Sequence, residues 1–399
     1  GLSDYYFTSD KLEAYGNGNM LKGGLVYADR ITTVSRSYAS EIRMPFYGEG
    51  LDGLLRARSK QLSGIVNGID YNVYNPKTDK DIAVNYSVED VIKAKAANKT
   101  ALQKELGLEE NPDAFMLGIV SRLTDQKGLD LVECVLDQIC AEDVQLVVLG
   151  TGEGKYQDMF TYYSRKYPER VSANIFYSEA LSHRIYASCD AFLMPSLFEP
   201  CGLSQLMSLR YGTLPIVRET GGLRDTVTPY NEVDGTGTGF SFTNYNAHEM
   251  LAIIRYAKKT YFNDRRAWNE MVLRAMKQDF SWDASAREYE KLYDGLIEEE
   301  ARRKEAIRLQ QAREAAEAAL KEAEKALELA KRAEEKAIRK FSGFEDETED
   351  ERTETAEVEA DKTPEAASEP EEVTEVLETQ ETPEEAEEVV TKAKSEEKE

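Results

Sequence analysis

Between residues 111 and 300, short runs of apolar, β-favouring residues alternate with stretches whose apolar positions recur at helical spacing. The runs are Ala114–Val120, Val144–Leu149, Asn174–Tyr177, Ala191–Met194, Leu214–Val217 and a shorter Gly239–Phe242. Most are continuously apolar rather than alternating, as strands must be when both faces of their sheet are covered. Between the first two runs, Leu129, Val132, Leu136 and Ile139 fall on one face of a helix. Few architectures accept this order, and a doubly wound α/β domain with a parallel sheet is the one it predicts. In open sheets of that kind ligands sit beyond the carboxyl ends of the strands, so the residues just after each run are where chemistry is expected.

The flanks read differently. Upstream, Met20–Ala28 is expected as a helix, Ile31–Val34 as a strand, and Ile65–Asp70 carries the turn Asn67-Gly68. Val88–Leu106 is a second helical stretch with Ser87 placed as its N-cap. Residues 1–110 therefore read as part of another Rossmann-like unit, with a linker at Asn75–Asp81, too short to close a sheet of its own. The chain opens at Gly1 in what reads as mid-loop. The expectation is an N-terminally truncated piece whose apolar faces stay exposed unless other residues supply the missing strands.

Downstream, residues 301–341 are Ala-rich and charged. Ala312, Ala316, Ala319, Ala323, Ala326, Ala330, Ala333 and Ala337 follow Leu309 at alternating steps of about four and three, the spacing of a coiled-coil seam. The seam fits self-association through 301–341 as well as it fits a lone solvated helix held by i,i+4 charge pairs, since alanine buries little area. Residues 342–399 are Glu/Thr/Pro-rich with few aromatics and are expected to be disordered. Most of the formal charge of −25 resides in that tail, so the acidity says little about the core's ligand.

Several functions are disfavoured at once. No dense Lys/Arg stripe marks a nucleic-acid surface. No apolar run reaches the roughly 18 residues of a membrane span, and no signal-peptide pattern is present. Cys134, Cys140, Cys189 and Cys201 lack paired spacing, which argues for neither a disulfide framework nor a zinc site and fits a reduced, cytoplasmic setting. His183 and His248 stand far apart, without metal-ligand companions, and read as helix-surface or helix-start residues.

Two strand-tip segments carry the strongest chemistry. Pro195-Ser196-Leu197-Phe198-Glu199-Pro200-Cys201-Gly202-Leu203-Ser204 lies between a buried strand and the predicted helix Gln205–Tyr211. The first N–H groups of a helix have no internal partner and attract phosphate or sugar oxygens. Glu199 in that setting is placed to grip sugar hydroxyls rather than merely to cap the helix. Ser121-Arg122-Leu123-Thr124-Asp125-Gln126-Lys127-Gly128 follows the first strand. Arg122 offers a planar fork and Lys127 a mobile point charge, a combination suited to a diphosphate; an Arg122–Asp125 pair with a solvated Lys127 fits the spacing equally well. Gly150-Thr151-Gly152-Glu153-Gly154 is a weak dinucleotide signal and reads as a close turn near the nucleotide. Thr220, Gly221 and Gly222 after a later strand can add backbone donors, and Tyr177 can stack on a base or sit at a core rim.

Taken together, Ser121–Gly128, Tyr177-Ser178-Glu179-Ala180, Phe198–Leu203, Tyr211–Pro215 and Thr220–Val227 resemble the bacterial glycogen/starch synthases. So do Lys22–Ser35, Gly64–Asp70 and Phe280-Ser281-Trp282, in one collinear register from about Gly1 to Ile297. The resemblance implies a glycosyltransferase-B fold of two Rossmann-like domains, here with the N-terminal one incomplete over 1–110 and the nucleotide-sugar domain at 111–300. It implies transfer of glucose from ADP-glucose to the non-reducing end of an α-1,4-glucan, with retention and with neither cofactor nor metal. In that frame Arg122 and Lys127 match the diphosphate-binding pair and Glu199 the essential glutamate. Cys201, Gly202 and Leu203 with Ser204 complete the cradle, Tyr177 packs on adenine, and Asn67 and Asp70 match a turn near the cleft. The family's Lys-x-Gly-Gly-Leu loop and its N-domain aspartate and histidine have no counterpart here, and Tyr74 stands where a tryptophan is usual. Little or no synthase activity is therefore expected of this chain alone. Two alternatives stay open: a retaining transferase for another nucleotide sugar, and a non-catalytic glucan-binding or assembly module.

Overall fold

The computed structural model describes residues 2–342, so the acidic tail from residue 343 onward lies outside the described residues. The strands of the main sheet are β1 (Phe115–Val120), β2 (Val144–Leu149), β3 (Val171–Asn174), β4 (Ala191–Met194), β5 (Leu214–Arg218) and β6 (Phe240–Phe242). Between them run α1 (Leu129–Cys140), α2 (Gly154–Lys166), α3 (Glu179–Ser188), α4 (Ser204–Arg210) and α5 (Gly221–Thr226), with α6 (Ala247–Asn263) and α7 (Arg265–Met276) following. The order across the sheet is β6-β5-β4-β1-β2-β3, every pairing parallel. The chain runs outward in one direction from β1 and in the other from β4. A crevice therefore opens at the carboxyl ends of this adjacent pair, the topological switch point of such a sheet.

The local reasons are visible in the burial. β2 and β4 are buried along their whole length, which explains their unbroken apolar sequence. On α1, Leu129, Val132, Val135, Leu136 and Ile139 turn one buried stripe to the sheet. One strand differs from expectation: β3 is Val171–Asn174, not Asn174–Tyr177. Its register pairs Leu146 with Val171 and Leu149 with Asn174, so β2 ends where Asn174 does and offers Ile175 onward no ladder partner. Tyr177 consequently sits in the following loop rather than at a strand end.

The helix Val91–Leu106 also differs. It begins three residues later than expected, with Asp90 rather than Ser87 at the N-cap, because the Asp90 carboxylate accepts the Ser87 N–H at 2.7 Å and closes a separate turn. This helix lies against the main sheet, its Leu102 clustering with Met116, Val147 and Ile185. It carries two buried lysines. Lys99 pairs with Asp190 at 2.6 Å and also donates to the Tyr261 hydroxyl and the Ala114 carbonyl, both at 2.9 Å. Lys95 donates to Thr213 Oγ1 at 2.7 Å and to the Ala187 carbonyl at 3.1 Å, and burial lowers its ammonium pKa to about 7.

Ahead of it, Ile31–Thr33 pairs in parallel with Leu62–Gly64, the short helix Arg36–Glu41 packs against that pair, and the helix Met20–Tyr27 packs against Asp52–Ala57. Leu2, Tyr5, Phe7, Met20, Leu21, Met44 and Phe46 are exposed on this part of the molecule. Residues 1–309 form one compact unit, and a second begins at Gln310. The last helix, α8, spans Trp282–Ser342. Within the second unit its described residues are all exposed and carry i,i+4 contacts such as Arg313–Glu317 at 3.0 Å and Arg332–Glu328 at 2.7 Å. None of the helices among the described residues is long and apolar enough to cross a membrane.

The Lys99–Asp190 pair makes a direct prediction. Asp190→Ala leaves a buried ammonium without its counter-charge and should destabilise the fold by about 3–5 kcal/mol in denaturant melts. Adding Lys99→Met to that variant should recover part of the loss, because the pair is costly to break but not costly to replace.

Candidate functional site

The site is built where the β1 loop meets the β4 loop. Residues Asp125–Lys127 form a 3-10 turn that ends at Gly128 with φ +69°. A Cβ at Gly128 would collide with the Pro195 carbonyl, so the left-handed glycine is what lets the two loops touch. The Leu197 N–H donates to the Gln126 carbonyl at 2.9 Å, and the Gln126 side chain donates to the Phe198 carbonyl at 3.3 Å. Arg122 donates to Gln126 Oε1 at 3.0 Å, which replaces the Arg122–Asp125 pairing that the sequence left open. Asp125 instead pairs with Lys155, 30 residues further along the chain.

Across this seam Lys127 Nζ lies 2.6 Å from Glu199 Oε2, and the Ser196 hydroxyl donates to the same oxygen at 3.0 Å. The Glu199 side chain is 8% exposed and that of Lys127 16%, so the pair is largely shielded from water and its field is stronger than a surface pair's. Among the described residues Glu199 Oε1 has no hydrogen-bond partner. Arg218 holds the loop from below, donating to the Ser196 and Leu197 carbonyls at 3.2 and 2.7 Å. Gly221, at φ +44°, lets α5 come close enough that a Cβ there would strike the Glu199 carbonyl.

At the carboxyl ends of β1 and β2 opens a cavity of about 360 Å³, walled by Arg122, Gly150, Tyr177, Leu203, Ser204 and Tyr74 among others; Lys127 and Glu199 are not among its lining residues. Tyr177 is 85% exposed, so its ring is free to receive a flat ligand. Tyr74 is half-buried, and burial, then the Glu179 carboxylate and the Tyr177 phenol, push its own phenol up. Two larger hollows, about 860 and 650 Å³, lie along Arg30 and the start of the last helix, away from every strand tip of the main sheet. The 360 Å³ cavity, by contrast, lies at the carboxyl ends of β1 and β2, with Arg122 and Glu179 as the charged residues of its wall.

Not every expected residue joins it. Cys201 and Gly202 lie behind the wall; burial pushes the Cys201 thiol up to about 11, partly offset by the Asn67 backbone N–H against it. Asn67 thus contacts the Glu199 loop rather than the cavity, and Asp70 is an exposed turn residue that accepts the Asn72 N–H at 2.8 Å. Thr220 and Gly221 donate at 3.1 and 2.8 Å to the carboxylate of Glu41, so these donors are already engaged within the chain. Gly222 donates to the Glu199 carbonyl at 3.0 Å and braces the loop instead of reaching a ligand. His183 is not a surface residue: it is buried with Nδ1 2.7 Å from Asp79 Oδ2. Ligand atoms of Asp79, Asp81 and His183 lie within 4.8 Å of one another. The Asp79 carboxylate, however, already accepts from His183, from the Tyr211 hydroxyl at 2.5 Å and from the Asp81 N–H at 2.9 Å, a hydrogen-bonded core rather than a vacant ligand set. His248 does lie exposed at the start of α6. The sequence reading passed over Gln126, Ser196, Glu41 and Tyr74 as site residues. The first two stand inside the motifs it singled out, whereas Glu41 and Tyr74 are placed by contacts more than 100 residues distant.

Comparison with known proteins agrees with this architecture. Residues 1–57 match the starch synthase catalytic domain family and residues 100–272 the glycosyl transferases group 1 family. Over 296 residues the chain is 71% identical to a glycogen synthase of Lachnospira eligens, covering 74% of this chain and 62% of that protein. A glycogen synthase of Clostridium acetobutylicum is 53% identical over the same shares. The chain thus spans 62% of the length of the curated relatives it matches. Among solved structures, the catalytic domain of starch synthase IV from Arabidopsis thaliana, bound to ADP and acarbose, superimposes with a TM-score of 0.69 at 34% identity. That alignment covers 74% of this chain and 62% of the plant domain, whose α/β architecture is the glycosyltransferase-B type. With two family matches in collinear order and high identity to several synthases, residues 1–57 and 100–272 are closely similar to those of the glycogen/starch synthases among the glycosyltransferases.

Proposed function

We propose that these residues form the donor side of a retaining synthase that moves glucose from ADP-glucose to the non-reducing end of an α-1,4-glucan. The observation that carries the reading is the Lys127–Glu199 pair on the same two loops as Arg122, which Gln126 holds and which lines the cavity. When the glucose–diphosphate bond breaks, negative charge develops on the departing ADP. A lysine and an arginine already held at the strand tip stabilise that charge without having to reorganise. Glu199 keeps Lys127 in place through Oε2 and leaves Oε1 to accept from the glucosyl hydroxyls. Leu203 and Ser204 at the start of α4 line the same cavity, and the backbone N–H groups of a helix start suit a phosphate. Tyr177 offers its open ring to the base. The plant relative with ADP bound supports adenine as that base. Four free cysteines, three of them buried, fit a cytoplasmic setting.

In a form of the protein spanning the length of its relatives, Lys127→Ala should lower turnover by about 100–1000-fold, the loss expected for one preorganised donor, when assayed at a temperature where the variant is fully folded. Unchanged turnover in a well-folded variant would remove the assignment. Offered ADP-glucose and UDP-glucose side by side, the same enzyme should prefer the adenine nucleotide; equal rates would favour a transferase of different donor choice.

The fully exposed α8 beyond residue 310 supports a second, separate reading, in which this segment mediates self-association. Size-exclusion chromatography should then show a smaller assembly when residues 301–399 are removed, and an unchanged assembly state would leave α8 a solvated helix.

A further inference from the structure

Tyr74 immediately precedes the linker and lies in neither strand-tip motif, yet it forms part of the cavity wall. Behind it lies His183, whose ring stacks on that of Tyr74 at 4.9 Å between centroids and 26° between planes. His183 is itself immobile. It is 3% exposed, and its Nδ1 is bonded to Asp79, whose carboxylate is fixed in turn by Tyr211 and by the Asp81 backbone. His183 Nε2 is buried without a partner, so what the imidazole presents to its neighbour is a flat face rather than a hydrogen bond. Asp79 on the linker and Tyr74, five residues earlier at its start, grip the same histidine, one by its edge and one by its face. The linker backbone is closed on itself between them, Tyr74 N–H to the Asp70 carbonyl at 2.8 Å and Asp79 N–H to the Asn75 carbonyl at 2.9 Å.

We propose that Tyr74 is a nucleobase-positioning residue of the donor cavity, and that His183, keyed by Asp79, is the backstop that holds it there. The inference rests on the donor-site reading given above and extends it to a residue at the start of the linker. The base enters a cavity lined both by an open tyrosine, Tyr177, and by a braced tyrosine, Tyr74. A phenol ring that cannot retreat confines the base more tightly than a free one, because little side-chain freedom remains to be lost on binding. The arrangement also makes the linker part of the nucleotide site, so occupancy of the cavity and the set of the linker depend on each other.

Calorimetric titration of the 399-residue chain with ADP and, separately, with inorganic pyrophosphate tests this. Tyr74→Ala should weaken ADP binding about tenfold, the scale of one lost base–aromatic contact, while pyrophosphate affinity stays within about twofold. Tyr74→Phe and Tyr74→Trp should bind ADP like the parent. His183→Ala should weaken ADP binding about fivefold in the parent yet change nothing further in the Tyr74→Ala background, the non-additivity expected when one residue acts through another. Equal ADP affinity in Tyr74→Ala, or a parallel loss of pyrophosphate binding, overturns the assignment. A parent that binds pyrophosphate but ADP no more tightly overturns it while leaving the diphosphate reading intact. A parent that binds neither removes the donor-site reading, and this inference with it.

Discussion

One contact organises the chemistry of this molecule: a lysine from the tip of β1 meeting a glutamate from the tip of β4, 72 residues later in the chain. Two charges brought out of water are expensive unless geometry compensates, and here the surroundings are arranged to compensate. Ser196 adds a hydrogen bond to the shared oxygen, Gln126 ties the two loops together, and Arg218 holds the glutamate loop by its carbonyls. Glycines at 128 and 221 admit the approach, since any side chain at either position would strike a carbonyl of the glutamate-bearing loop. Arg122 then stands beside a partly neutralised pair rather than a bare lysine, which limits mutual repulsion between the two cations.

The sheet explains why the contact falls where it does. From β1 the chain moves to one side of the sheet and from β4 to the other, so this adjacent pair is the switch point, and its two loops meet at the carboxyl ends. The strand ladder sets the height of each loop above the sheet: β3 ends level with β2, and that is what releases Tyr177 into the loop beside the cavity. N-terminal residues brace the other side, with Ser35 donating to the Pro200 carbonyl at 2.6 Å and Ser37 to Asp225 at 2.9 Å through its N–H. The loop carrying Glu199 is therefore gripped from its own domain and from the residues that precede the linker.

Much of this was legible in the residue order. The continuous apolar runs identified β1, β2 and β4 to within a residue, because strands covered on both faces leave no ambiguity of phase. Arg122, Lys127 and Glu199 were readable as a group since each sits one short turn beyond such a strand. What escaped was set by distant contacts. β3 was read three residues late because Ile175, Phe176 and Tyr177 have the composition of a strand but no neighbour to pair with. His183 was read as surface because no local pattern announces that Asp79, 104 residues earlier, will bond to it. Thr220 and Gly221 looked like free donors, and nothing near them in sequence reveals the Glu41 carboxylate that occupies them. Glycine-rich turns were recognised correctly as close approaches, but their function at 221 and 222 is to bring backbone against backbone rather than backbone against ligand.

The central claim is that one sugar diphosphate bridges the two strand tips. A crystal structure of the chain with ADP-glucose bound tests it most directly. The account requires the diphosphate between the Arg122 guanidinium and the Lys127 ammonium, with glucosyl hydroxyls within hydrogen-bond distance of Glu199. Density for the diphosphate at another cavity, or a glucosyl group turned away from Glu199, would contradict it.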